Sequence, residues 1–137
     1  MNIGISTASY YPLETELALE EIGKSGIKTT EICINAESEL KNSFVDILED
    51  IKDCYGLNIV AIHPTLSLAE PFMIFSNYER RFNESLEKFA HYSEIAARLG
   101  AKYINLHGGR PNSSLTDEEY CERYMILKLP ISWRQSI

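Results

Sequence analysis

The sequence predicts an α/β fold built on a parallel sheet, and three observations point there. Four short runs, Asn2–Ser6, Thr30–Ile34, Asn58–Ile62 and Lys102–Leu106, are almost continuously apolar, as in strands buried on both faces. A longer stretch of helical periodicity follows each run. Gly26, Gly56 and Gly100 each stand just ahead of the next run, where a helix C-terminus calls for a left-handed residue. The order is β-α-β-α-β-α-β-α without a change of domain, which implies a parallel sheet with right-handed crossovers.

Along the chain, the first strand ends at Ser6, Thr7 and Ser9, whose hydroxyls can cap the next helix or hydrogen-bond a sugar. The second strand carries Glu31, a carboxylate that needs a partner if buried; it would orient a rim residue or pair with a lysine. After it, Phe44, Ile47, Leu48, Ile51 and Tyr55 make one apolar helix face, with Ser43 and Asp46 in a loose capping arrangement. The third strand ends at His63, followed by Pro64. The strands start about 28, 28 and 44 residues apart, and the excess lies in Pro64–Phe75, a long loop at a strand's C-terminal end. Ser76 with Glu79 has capping-box spacing ahead of Tyr78, Phe82, Leu86, Phe89, Ala90 and Ala97. The fourth strand ends at His107 before Gly108 and Gly109. Thr116 with Glu119 opens one more helix, and Met125–Ile137, holding Pro130 and the single Trp133, fits no further βα unit.

Bulk properties restrict the function classes. Of 137 residues, 20 are acidic and 13 basic, for a net charge of −7, and 45% are hydrophobic, enough to build one core. An acidic surface repels a phosphate backbone, so nucleic-acid binding is not expected. No apolar run approaches the roughly 20 residues of a membrane span, and MNIGIST has no secretory-signal pattern. Three cysteines without C-x-x-C spacing read as reduced thiols. A cytoplasmic location is the expectation.

The residues that carry chemistry gather at the strand ends. His63 and His107 close neighbouring strands, about 4.8 Å apart in a parallel sheet, and their matched positions favour a pair converging on one metal or substrate. Either imidazole alone reads as a half-buried histidine bonded to a backbone carbonyl. Two ligands also fall short of the three or more that zinc or manganese takes from protein. Glu70 in the long loop can reach such a site or be merely solvated. Arg110 can hold a phosphate bidentately or be a turn arginine. His91 reads as a helix-surface residue.

At these residues the sequence resembles the xylose-isomerase-like TIM barrels, which include sugar phosphate isomerases/epimerases and endonuclease IV relatives. The resemblance rests on MNIGIST, GIKTTEICI, IVAIHP and, above all, ESLEKFAHYSEIAARLGAKYINLHGG, and covers residues 1–124. It implies four βα units of a (β/α)₈ barrel, an incomplete half-barrel corresponding to the N-terminal half, with 125–137 as an atypical tail. It implies a divalent metal (Zn, Mn or Mg) at the rim with His63 and His107 as ligands. Glu31, Glu70, Arg110 and Ser6 would contact a small sugar or sugar phosphate. The family's later-strand ligands and general bases have no counterpart in this sequence, which leaves open whether it is an active enzyme. The expected function is metal-dependent proton transfer on a sugar. The alternatives are a non-catalytic half-barrel that self-associates through open strand edges, and an endonuclease-IV-like zinc phosphodiesterase fragment, which the acidity disfavours. A free-standing flavodoxin-like sheet would need a glycine-rich phosphate loop, and STASYYP is not one.

Overall fold

β-Branched runs pair in chain order. The computed structural model describes residues 3–64, 70–107 and 115–128, with the backbone alone at Glu70, Pro71 and Lys128. Strands β1 (Gly4–Ser6), β2 (Thr29–Ile34), β3 (Asn58–Pro64) and β4 (Tyr103–Ile104) form one sheet in the order β1-β2-β3-β4. Every neighbouring pair is parallel. Helices α1 (Thr15–Ser25) and α2 (Asn42–Tyr55) connect the first three strands. A short helix α3 (Glu70–Ile74) and the long α4 (Glu79–Leu99) lie between β3 and β4, and α5 (Asp117–Lys128) follows. The fold is α/β, an open parallel sheet of βα units, as in part of a TIM barrel. The chain divides into two units: the sheet with α1, α2 and Tyr92–Leu106, and a helical unit of residues 66–91 and 107–137.

In the sheet unit, one face of the sheet is dry. Ile32, Ile34, Ile59 and Ile62 pack against Leu19, Val45, Leu48, Ile51, Ile95, Ala96 and Leu99 from the helices, all buried. At about 25 cal/mol per Å² of apolar surface, this cluster is the main favourable term for the unit. Helices α1 and α2 approach closely at Gly23, where a Cβ would sit 2.4 Å from the Tyr55 ring. Gly26, Gly56 and Gly100 all have φ between +60° and +83°, so the predicted helix stops are left-handed as required.

Several local expectations are corrected. On α2 the buried positions are Val45, Leu48 and Ile51, while Ile47 is exposed, so the apolar face is turned toward Val45. Ser43 lies inside α2, whose N-cap is Lys41 without a side-chain hydrogen bond. Ser76 accepts from the Tyr78 N–H at 3.1 Å instead of boxing with Glu79. On α4 the buried positions are Phe82, Ser85, Phe89, Tyr92, Ile95, Ala96 and Leu99, at helical spacings; Tyr78 and Ala97 are exposed. Strand β4 is shorter than predicted. Its pairing extends at each end through Lys102 N–H to Val60 O at 3.2 Å and Asn105 N–H to Ile62 O at 2.9 Å.

In the helical unit, Ile74 and Phe75 are buried and the Phe75 ring stacks on Tyr120 at 4.1 Å. The Thr116–Glu119 capping box forms reciprocally. Glu119 Oε2 accepts from the Thr116 N–H at 2.7 Å, and Thr116 Oγ1 accepts from the Glu119 N–H at 3.2 Å. Helix α5 runs through 125–128; residues 129–137, including Trp133, lie outside the described residues. No helix among the described residues is long and apolar enough to cross a membrane.

Candidate functional site

The face of the sheet turned away from the helices is polar, and strand register makes it so. Thr30 pairs with Ile59, but the next partner of β2, Glu31, is Ala61, so Val60 is an extra residue in β3. This bulge resets the alternation of β3. Beyond it, Ile32 and Ile62 share the core face, leaving Glu31, Cys33, Ala61 and His63 on the other. Ser6 pairs with Glu31 across β1 and β2, and so joins the same face. Bulges recur where a strand must re-aim a functional side chain.

The result is a four-strand hydrogen-bond hub centred on the Glu31 carboxylate. Ser6 Oγ donates to Oε1 at 3.1 Å, His63 Nδ1 stands 3.3 Å from Oε1, and Asn105 Nδ2 donates to Oε2 at 2.6 Å. The side chains of Glu31 and His63 are each about one-quarter exposed, at 25% and 26%. The Glu31 carboxylate has a donor on each oxygen. Which atom carries the hydrogen between Oε1 and His63 Nδ1 depends on the imidazole tautomer. Ser6 Oγ also accepts from the Ala8 N–H at 3.3 Å, so its hydroxyl both caps the 3₁₀ turn Thr7–Tyr10 and binds Glu31.

Of the predicted site residues, the structure brings Ser6, Glu31 and His63 together. Glu31 stands 3.3 Å from the rim residue His63. Asn105 was not among the sequence candidates. His107 is exposed and belongs to the helical unit. Glu70 begins α3, but its side chain lies outside the described residues, as do Arg110 and the Gly108–Gly109 turn. Cys33 is buried, and Cys54 and Cys121 are exposed free thiols.

A second polar knot sits beyond β2. Glu39, 5% exposed, accepts from the Asn35 N–H at 2.6 Å and from the Thr15 hydroxyl, 3.1 Å away. Asn35 Nδ2 donates to Thr15 Oγ1 at 2.9 Å. This knot ties the β2 exit to the start of α1 and offers no open valence. A cavity of about 340 Å³ lies in the helical unit, between α4 and α5, lined by residues including Phe82, Leu86, Glu119, Glu122 and Arg123. It is remote in sequence from the hub, and three of its eight lining residues are glutamates.

Divalent metal is the cofactor expected for such a fold. Among the described residues no three His, Cys, Asp or Glu side chains gather as ligands. Glu31, the carboxylate beside His63, accepts from Ser6 and Asn105, and the described residues alone do not make up the three or more ligands of a metal centre.

An open parallel sheet of βα units, dry on its helix side and carrying a Ser-Glu-His-Asn hub on the other, is the architecture of a partial α/β barrel. Specifically, this is the xylose-isomerase-like fold. Among solved structures the chain resembles a xylose isomerase domain protein from Planctomyces limnophilus, with a TM-score of 0.67 at 17% identity, covering 97% of this chain and 51% of that one. An uncharacterized protein, ML2432, from Mycobacterium leprae is 30% identical over 107 residues, which are 78% of this chain and 35% of that protein. The chain thus spans about a third of the curated relative it matches and half of the structural one. No family model matches the sequence.

Proposed function

We propose that this chain supplies one wall of a sugar isomerase/epimerase-type site, in which His63 moves a proton on a small sugar or sugar phosphate. The observation that carries the reading is the Glu31–His63 contact on the polar face of a xylose-isomerase-like sheet. In such a reaction a C–H next to a carbonyl gives its proton to a base, and the proton returns to the neighbouring carbon or to the opposite face. Nε2 of His63 is suited to accept it, and the Glu31 carboxylate on Nδ1–H stabilises the imidazolium that forms. Ser6 and Asn105 hold Glu31 in place and line the same face with groups that suit sugar hydroxyls. The proposed substrate class fits a surface that is acidic overall only where local donors are present, and Arg110, outside the described residues, is the candidate for a phosphate group.

Solvent deuterium tests this directly. The chain is incubated in D₂O with a panel of aldoses, ketoses and their phosphates, and exchange at the carbon next to the carbonyl is followed by NMR. Exchange by the wild type, reduced roughly 100-fold or more in His63→Gln, is the expected result for loss of a general base. Equal exchange in wild type and variant would overturn the assignment of His63.

A second reading is favoured by one feature: the outer edges of β1 and β4 have no strand neighbour among the described residues. Open edges invite pairing, and a non-catalytic protein that self-associates would use them. Light scattering on the purified chain that shows a concentration-dependent dimer, together with no deuterium exchange on any sugar, would favour this reading over the enzyme.

A further inference from the structure

The partners of Glu31 are unequal. The shortest contact, 2.6 Å, comes from Asn105, which lies two strands away, beyond β3. The two strand-to-strand steps between them, across β3, span roughly 10 Å of Cα separation at about 4.8 Å per step, so only a long side chain meeting another across a small one can close the gap. Ala61 is that small residue, paired with Glu31 on one side and Tyr103 on the other. Asn105 is itself fixed: its N–H donates to the carbonyl of Ile62, the residue before His63. The amide that grips Glu31 is thus anchored one residue away from the histidine that Glu31 contacts.

That arrangement controls a soft degree of freedom. The terminal torsion of a glutamate is broad, so a carboxylate held on one oxygen can swing. With Oε2 pinned by Asn105, Oε1 is presented to Ser6 and to His63 Nδ1 together. An ionised carboxylate only accepts, so an amide facing one presents its nitrogen and an imidazole facing one presents a ring N–H.

We infer that Asn105 is a positioning residue of this site: it orients Glu31 so that Oε1 faces His63 Nδ1 and the imidazole is held in the Nδ1–H tautomer. The inference rests on the reading of His63 as proton acceptor and adds that the amide following β4, rather than the hydroxyl ending β1, sets its tautomer. Ser6 is the weaker holder because its hydroxyl is shared with the Ala8 N–H and stands farther from Glu31.

The test is the ¹⁵N spectrum of the His63 ring in the intact chain, at a pH where the imidazole is neutral. The wild type should show mainly the Nδ1–H form. Asn105→Leu keeps the volume and removes the donor, and should lower the Nδ1–H to Nε2–H ratio roughly fivefold, the change that one hydrogen bond of typical net strength carries. Ser6→Ala should lower it less. If the leucine variant does not fold, Asn105→Ala provides the same comparison, with far-UV circular dichroism as the control. A folded Asn105 variant with the wild-type ratio would overturn the inference while leaving His63 as the base. An Nε2–H form in the wild type would instead overturn the proposed role of His63.

Discussion

In the sheet unit the carboxylate of Glu39 is enclosed, and each of its oxygens has a donor. In the helical unit the guanidinium of Arg123 is nearly as enclosed, at 8% exposure, and its Nη1 has no hydrogen-bond partner. Arg123 stacks on Phe82 at 4.2 Å and pairs through Nη2 with Glu79 at 2.6 Å, but Glu79 is 72% exposed. The contrast lies in what places the polar group. Side chains aligned by strand register hold Glu31, and the Asn35 N–H with the Thr15 hydroxyl holds Glu39, whereas Arg123 depends on one solvated carboxylate and one ring. Glu16 Oε2 is the sheet unit's own buried atom without a partner, so the difference is one of degree. Functional geometry can be held to within tenths of an ångström only on the first kind of support, and the Glu31 hub sits there.

Truncation in the two cores should expose that difference most strongly. Ile62, fully buried in β3, is locked between neighbouring strands and the helix layer, so Ile62→Ala should cost about 2–5 kcal/mol. Leu127, buried at 8% near the end of α5, has a surface that can relax, and Leu127→Ala should cost less. Urea unfolding followed by far-UV circular dichroism gives both values. Equal losses would mean that the helical unit is packed as rigidly as the sheet.

The buried arginine sharpens the comparison at a smaller scale. Arg123→Met removes a desolvated charge and its orphan donor together while keeping apolar contact with Phe82, and should change stability by less than about 1 kcal/mol. Glu79→Ala leaves the guanidinium enclosed with no carboxylate on Nη2, and should cost roughly 1–3 kcal/mol. The order of these two variants in thermal unfolding is the result to examine. If Arg123→Met proves the more damaging, the arginine is supported by the unit and not merely tolerated.

The same division explains what was legible in the sequence. Four strands, the last shorter than expected, and three helix stops were readable because continuous apolar runs and left-handed glycines are local signals. Ser6, Glu31 and His63 were readable as strand-end residues. Asn105 was not, because its link to Glu31 spans 74 residues and depends on a bulge at Val60 that no periodicity announces. The turn of α2 toward Val45 was missed for a related reason. Phe44 and Ile47 are as apolar as Val45, and only the neighbouring helix decides which is buried. Helix α5 shows the limit in the helical unit: its buried positions are Arg123 and Leu127, while Tyr124 and Met125 are exposed, so no apolar stripe marks its packed face.

The smallest expected effect comes from the capping box that opens α5. The Thr116 N–H, and after it the Thr116 hydroxyl, holds the Glu119 carboxyl below its ordinary value near 4.5, with the charge of Arg123 adding to the same side. A carboxyl whose pKa is lower in the folded chain than in the unfolded one binds fewer protons when folded. Its stabilisation is therefore fully present above pH 4.5 and is lost as the pH falls through the depressed folded value. Glu119→Gln keeps a side chain able to accept from Thr116 but removes the titration. The thermal midpoint of the wild type should exceed that of Glu119→Gln slightly at pH 6, and the gap should close toward pH 3. The rest of the sequence is common to both proteins, so the difference reports on Glu119 alone. A gap that persists unchanged at pH 3 would mean that the glutamate acts at this helix start through packing, not charge.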